Sequence, residues 1–258
     1  WDALNDPEIL KDIGNSYQIV GNYISAKSYY EKAISIKSDY SNALTNLGNI
    51  ELKEGNKEKG INLLIKATNS DPNIASTWSN LANAYFQLNN IEDAEYACHR
   101  SLQLDSNNWR NLFLFGIINL RQKKHEIAKK YLLQSIEIKP DLAEANFNLG
   151  IIFKSEKLLS LAKKYILKSI ELKFKLFDSY FLLANILIDQ KEMREAEIYL
   201  KKAIKINPKS SEAYSNLSVV LQCLEKINEA EISCKEAIKI NPNFADAYIN
   251  FSNLMRSK

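Results

Sequence analysis

Ala213-Tyr214-Ser215-Asn216-Leu217-Ser218 is followed, thirty-four residues later, by Ala247-Tyr248-Ile249-Asn250-Phe251-Ser252. Small, large and polar residues return in the same order, and recurrence at a fixed distance is the signature of a repeat architecture. Each copy also contains an Asn-x-Ser triplet, the acceptor pattern for N-glycosylation on loops of secreted proteins. Whether the triplets belong to loops or to repeats depends on how far the period extends.

Proline carries the period through the chain. Four of the five prolines are Pro72, Pro140, Pro208 and Pro242, at intervals of 68, 68 and 34 residues. Windows of 34 then run 7–40, 41–74, 75–108, 109–142, 143–176, 177–210 and 211–244 without a gap, with a terminal first helix in 245–258. Place 20 of each window is small (Ala26, Gly60, Ala94, Ala128, Ala162, Ala196, Ala230), as are place 8 (from Gly14 and Gly48 to Ser218 and Ser252) and place 27. Places 4 and 7 are mostly large, as in Trp78 and Leu81 or Tyr214 and Leu217. Small residues facing large ones are what interlocking helices need.

Places 4, 7, 8 and 11 form one stripe at helical spacing and places 20, 24 and 27 another, so each window predicts two amphipathic helices. Place 15, between them, holds Gly21, Gly55 and Asn89, which suit the left-handed end of a helix. Lys123, Lys157, Lys191 and Glu225 occupy it later and are weaker turn formers. Proline at place 32 stops the second helix. One hairpin cannot cover both its stripes, so the units must stack in an all-α array.

This layout resembles the tetratricopeptide repeat family, a 34-residue helix-turn-helix with W-x2-L-G-x2-Y, then A-x3-F and a late proline. The fullest copies are Trp78, Leu81, Ala82, Tyr85 and Ala94, with Cys98 in the aromatic place, and Tyr214, Leu217, Ser218, Ala230 and Pro242. Minor departures are Ser38, Ser106 and Phe174 in place of the proline, and Glu51 and Asn119 where an aromatic is usual. The resemblance implies an α-α right-handed superhelix, or solenoid, with each first helix lining a concave surface.

At 100° per residue, places 2, 5, 6, 9, 12 and 13 lie opposite the first stripe and become the candidate contact positions. Asn46, Asn80, Asn148, Asn216 and Asn250 all stand at place 6. Both triplets therefore fall inside helices, and glycosylation is not expected. Place 9 adds Asn15, Asn49, Asn83, Asn185 and Asn253. A carboxamide can pair with both the N–H and the C=O of an extended peptide. The rows resemble the asparagine ladders of the superhelical repeat region of O-linked N-acetylglucosamine transferases. The competing reading is that asparagine only solvates a helix face, although it is a poor helix former and should be compensated.

The middle of the array is apolar instead. Phe113, Phe147 and Phe181 stand at place 5, Leu114 and Leu182 at place 6, and Ile117 and Ile151 at place 9. This strip reads either as an interaction patch or as packing between neighbouring repeats. Some members of the family hold a terminal carboxylate with a clamp of lysines, asparagines and an arginine. Lys11, Asn15 and Asn46 match three of its positions, but Ser76 and Asn80 supply no charge at the other two, so chaperone-tail binding is not expected.

Composition excludes several classes. The formal charge is +3, from 34 basic and 31 acidic residues, with no basic block and only five arginines. That argues against nucleic acid and against an anionic membrane as partners. No stretch approaches the roughly 20 apolar residues of a membrane helix. Cys98, Cys223 and Cys234 form no CxxC and suggest reduced thiols in a cytoplasmic location. His99 and His125 lack helical partners with metal-ligand character, and no glycine loop cradles phosphate, so no metal, cofactor or catalytic residue is expected and the chain reads as no enzyme.

Three functions remain open. The first is a non-catalytic protein-interaction scaffold that binds an extended peptide or a partner protein in the groove. The second is the substrate-recruiting region of a larger enzyme, such as a glycosyl- or other group transferase. The third is self-association through an uncapped last helix. A first residue, Trp1, that is not methionine, and a half window from Ala245 with no second helix to cover it, predict that the natural chain continues.

Overall fold

The structure is a computed structural model that describes residues 5–256. Trp1, and the last two residues of the final half window, lie outside this range. The chain divides into two compact units, one reaching to Ile138 and the other beginning at Lys139. The described residues form fifteen helices and no strand.

The first unit contains α1 (Pro7–Ile19), α2 (Tyr23–Ile36), α3 (Ser41–Lys53), α4 (Lys57–Ser70), α5 (Ala75–Gln87), α6 (Ile91–Leu104), α7 (Trp109–Arg121) and α8 (His125–Ile138). The second contains α9 (Ala143–Ser155), α10 (Leu159–Glu171), α11 (Leu176–Asp189), α12 (Met193–Ile206), α13 (Ser211–Cys223), α14 (Ile227–Ile240) and α15 (Ala245–Arg256). Odd and even neighbours pair as antiparallel hairpins, and within each unit an even helix then packs on the next odd one, as α2 on α3 or α12 on α13. First helices also touch first helices: α3 meets α5 and α5 meets α7, while α9 meets α11 and α13 meets α15. They form the inner layer of each unit.

The turn within each hairpin is the same in all seven. Its left-handed residue is Gly21, Gly55, Asn89, Lys123, Lys157, Lys191 or Glu225, with φ between 60° and 90°. The next N–H donates back to the carbonyl of place 11 (Asn22 to Tyr17, Lys124 to Asn119, Lys226 to Leu221, and the others) at 2.8–2.9 Å. That six-to-one bond satisfies a terminal carbonyl of the first helix. The lysines and the glutamate, weak turn formers by residue type, thus adopt the glycine conformation because the closure between packed helices demands it.

Five joints between repeats share one form, and the joint after α10 differs. Lys37, Asp71, Asp105, Asn207 and Asn241 are the residues after a second helix, with φ between −125° and −142°. The residue before proline is driven to extended backbone, yet Ser38 and Ser106 follow the same geometry without the ring. Phe174 does not. There α10 ends at Glu171, Leu172 lies near the bridge region and not in extended backbone (φ −80°, ψ 5°), and Lys173 and Lys175 both take positive φ. This departure looks minor in the sequence, but the backbone path here differs from that of the five joints above.

Packing inside each hairpin follows a size rule between places 8 and 24. A Cβ on Gly14 would stand 2.6 Å from Tyr30 Cε1, and one on Gly150 would stand 2.3 Å from Ile166 Cδ1. Gly48 and Gly116 meet Leu64 and Leu132 in the same way. Where place 24 shrinks to Cys98 or Cys234, place 8 grows to Ala82 or Ser218. The pair Ala184 and Leu200 departs from the rule. All six place-20 alanines are fully buried, so the helices approach closely at each.

Candidate functional site

The first helices present their candidate contact residues in three different conditions. Asn46 Nδ2 donates to Asn15 Oδ1 at 2.8 Å, and the Tyr30 hydroxyl lies 2.8 Å from both Asn15 Oδ1 and Gln18 Oε1. Burial pushes the Tyr30 phenol up to about 12, so it stays a neutral donor. In the second unit Asn216 Nδ2 donates to Asn185 Oδ1 at 2.8 Å, Asn250 Nδ2 to Ser215 Oγ at 2.9 Å, and Asn148 Nδ2 to its own helix at the Glu144 carbonyl. These amides are committed. Asn49, Asn80 and Asn83 form no side-chain hydrogen bond among the described residues, and Asn83 is exposed.

The two pairs share one geometry: place 9 of a repeat accepts from place 6 of the next. The helical angle puts both places on one face, and at these two joints the amides bridge first helix to first helix, whereas Asn49 and Asn80 hold the same places without bonding. Both Asn-x-Ser triplets lie in helices, α13 and α15, with half-buried asparagines. The clamp-like set is occupied as well: Lys11 pairs with Asp12, and Asn15 with Asn46.

Place 5 is not an open face. Thr45 and Ser215 are buried there, and Thr45 Oγ1 lies 3.1 Å from Thr77 Oγ1 of the next repeat. Phe113, Phe147 and Phe181 are half-buried. Phe147 packs on Phe174 with centroids 5.7 Å apart, and Phe181 stacks on Phe177 at 6.0 Å. The replacement of proline by Phe174 thus supplies a ring that covers Phe147. The accessible apolar residue of the strip is Ile151, 38% exposed. With Leu182 and Leu159 it lines a cleft of about 700 Å³ among α9, α10 and α11, rimmed by Lys154, Lys157 and Asp189.

Charged groups collect on the second helices. Place 21 of one repeat pairs with place 16 of the next in Glu95–Lys124 (2.9 Å), Lys163–Glu192 (2.6 Å) and Glu197–Lys226 (2.8 Å). The sign reverses at Lys163, a lattice that the small-residue register did not reveal. Glu51, in an aromatic place, is fully buried and paired with Lys27 and Lys59, each at 2.8 Å, and accepts from Asn56 Nδ2 at 2.7 Å. Burial acts to raise its pKa, but the two ammonium groups and the amide outweigh it and hold the carboxyl at about 2. Asn119, the other departure, is buried and donates to the Phe115 carbonyl at 2.8 Å. Cys98 and Cys234 are buried and Cys223 is exposed. No helix among the described residues is long and apolar enough to cross a membrane.

Comparison with known proteins places the array. Residues 3–215 match the family described as the Cilia and flagella-associated protein 70 C-terminal domain, and residues 199–232 match a tetratricopeptide repeat. The chain is 32% identical over 139 residues to human Cilia- and flagella-associated protein 70, covering 52% of this chain and 12% of that protein. It is 31% identical over 130 residues to human Protein O-mannosyl-transferase TMTC3, covering 48% and 14%. The chain therefore spans a small part of the length of these relatives. The structure of pilF from Pseudomonas aeruginosa superposes with a TM-score of 0.65 at 22% identity, over 84% of this chain and 97% of that one. The chain is an all-α helical-repeat protein, and it belongs to the family of the Cilia and flagella-associated protein 70 C-terminal domain, within the tetratricopeptide repeats.

Proposed function

We propose that this chain is a non-catalytic protein-interaction scaffold that holds an extended peptide, or an extended segment of a partner protein, against its first helices. The observation that carries the reading is the set of uncommitted amides of Asn49, Asn80 and Asn83 on consecutive first helices of the first unit. Each offers two donors and an acceptor, the complement of a peptide backbone. The committed pairs Asn15–Asn46 and Asn185–Asn216 would stiffen the surface that does the binding. The balanced charge supports a protein partner over nucleic acid or membrane, and three free cysteines support a cytoplasmic location.

The test is selection of a random peptide library on the immobilised chain beside a variant carrying Asn49→Ala, Asn80→Ala and Asn83→Ala. Peptides enriched by the wild type and lost by the variant support the reading. Equal enrichment on both overturns it.

The match to Protein O-mannosyl-transferase TMTC3 favours a second reading, the recruiting region of a larger enzyme. The mass of the natural protein and the domains encoded beside this region would decide it. Natural chains that hold repeats alone would sink this second reading.

A further inference from the structure

The joint between α9 and α11 carries no asparagine at either of the two places that form the amide bridges, and a cleft opens there. In the next joint of the same unit, place 9 and the following place 6 are Asn185 and Asn216, closed by a 2.8 Å hydrogen bond. The same relation in the first unit joins Asn15 to Asn46. At the α9–α11 joint those two places are Ile151 and Leu182, which form no polar bridge, and both line the cleft of about 700 Å³. That volume lies within the range of pockets that enclose a ligand group. Leu159, at the start of α10, completes an apolar floor.

The rim is cationic. Lys154 reaches across to Asp189 at 3.5 Å, a loose pairing between groups that both keep solvent contact. Lys157 forms no ion pair among the described residues. Two ammonium groups against one carboxylate leave the mouth with a net positive charge. An apolar floor and a spare ammonium on the rim complement a side chain that is bulky and apolar, with a carboxylate close behind it.

Resting on the scaffold reading, we infer that this cleft is a specificity pocket for a partner segment carrying a branched aliphatic or aromatic side chain with an aspartate or glutamate one or two residues away. The asparagine surface would hold backbone with little regard to sequence. The pocket would select the sequence.

The internal repeat supplies the variant to test this. Ile151→Asn with Leu182→Asn installs the pair that the next joint of the same unit holds in Asn185 and Asn216, so the fold has a precedent for it. Random peptides selected on the wild type are expected to be enriched in the apolar-acidic pattern. The double variant should bind them about tenfold more weakly, the equivalent of 1.4 kcal/mol, with an unchanged melting curve. Lys157→Glu should move the selected charge from acidic to basic. Selection of peptides without this pattern, or equal affinity for the double variant, overturns the pocket while leaving the scaffold reading intact. Failure of the wild type to select any peptide removes both. Self-association of the wild type in light scattering that the double variant abolishes would assign the cleft to a second copy of the chain, and the inference would fall.

Discussion

The amide of Asn216 donates to the carboxamide oxygen of Asn185 at 2.8 Å, and thirty-one residues separate the two, as they do Asn46 and Asn15. The relation makes asparagine a stitch between first helices as well as a contact for partners. Asn185→Ala leaves Asn216 without its partner and is expected to cost about 0.5–1.5 kcal/mol, the net value of a hydrogen bond. Asn80→Ala breaks no bond and should stay within about 0.5 kcal/mol. Urea unfolding of the two variants checks the contrast, and equal losses would show that the amide pair contributes nothing.

Glu51 gives the first unit a pH dependence. Its folded carboxyl lies at about 2 against an ordinary 4.5, so the folded state holds its proton less tightly than the unfolded chain does. A depressed carboxyl stabilises fully above 4.5, and this contribution is lost as pH falls from there toward 2. Glu51→Gln should flatten the acid limb of a stability-against-pH curve in that window. Lys27→Met, which leaves the buried carboxylate short of one partner, should destabilise by roughly 1–3 kcal/mol at neutral pH. An unchanged acid limb in Glu51→Gln would show that the buried pair does not govern it.

The left-handed turns store strain that glycine would relieve. Lys191 and Glu225 have φ of 66° and 60°, where an L side chain costs about 1–2 kcal/mol. Lys191→Gly and Glu225→Gly are each expected to raise stability by up to about 1 kcal/mol, since glycine's greater unfolded freedom cancels part of the gain. Gly55→Ala should do the reverse. A Cβ there meets nothing within 4 Å, so any loss measured by thermal unfolding reports backbone conformation alone.

The size rule between places 8 and 24 predicts coupling. Gly150→Ala drives a methyl to 2.3 Å from Ile166 Cδ1 inside a fully buried contact and should cost about 1–3 kcal/mol. Adding Ile166→Cys reproduces the Ala82 and Cys98 pair of the third repeat. The double variant should be more stable than the sum of the single changes by at least about 0.5 kcal/mol. Additive losses would mean that the two side chains do not share the space.

By itself the sequence determined the order of two helices per repeat and much of the core, although not place 10, where Ile118, Ile152 and Ile186 are fully buried. Four prolines, the small residues at place 20 and the stripe at places 4, 7, 8 and 11 are local signals repeated until chance is exhausted. They are legible because two stacked helices impose the same steric demand in every copy. The angle of 100° per residue also named the face carrying Asn80 and Asn83. Only the tertiary structure decided which of those residues are free. Whether Asn216 awaits a ligand or already holds Asn185 depends on the distance between two helices, and no spacing within one helix contains it. The same is true of Phe147, whose ring meets Phe174 because the joint without proline follows another path. It is true of Glu51, which reads as a departure until Lys27 and Lys59 arrive from α2 and α4. Where Ile151 and Leu182 replace the amide pair, the two side chains cannot bridge by hydrogen bonding, and the space between α9 and α11 is left as a cleft.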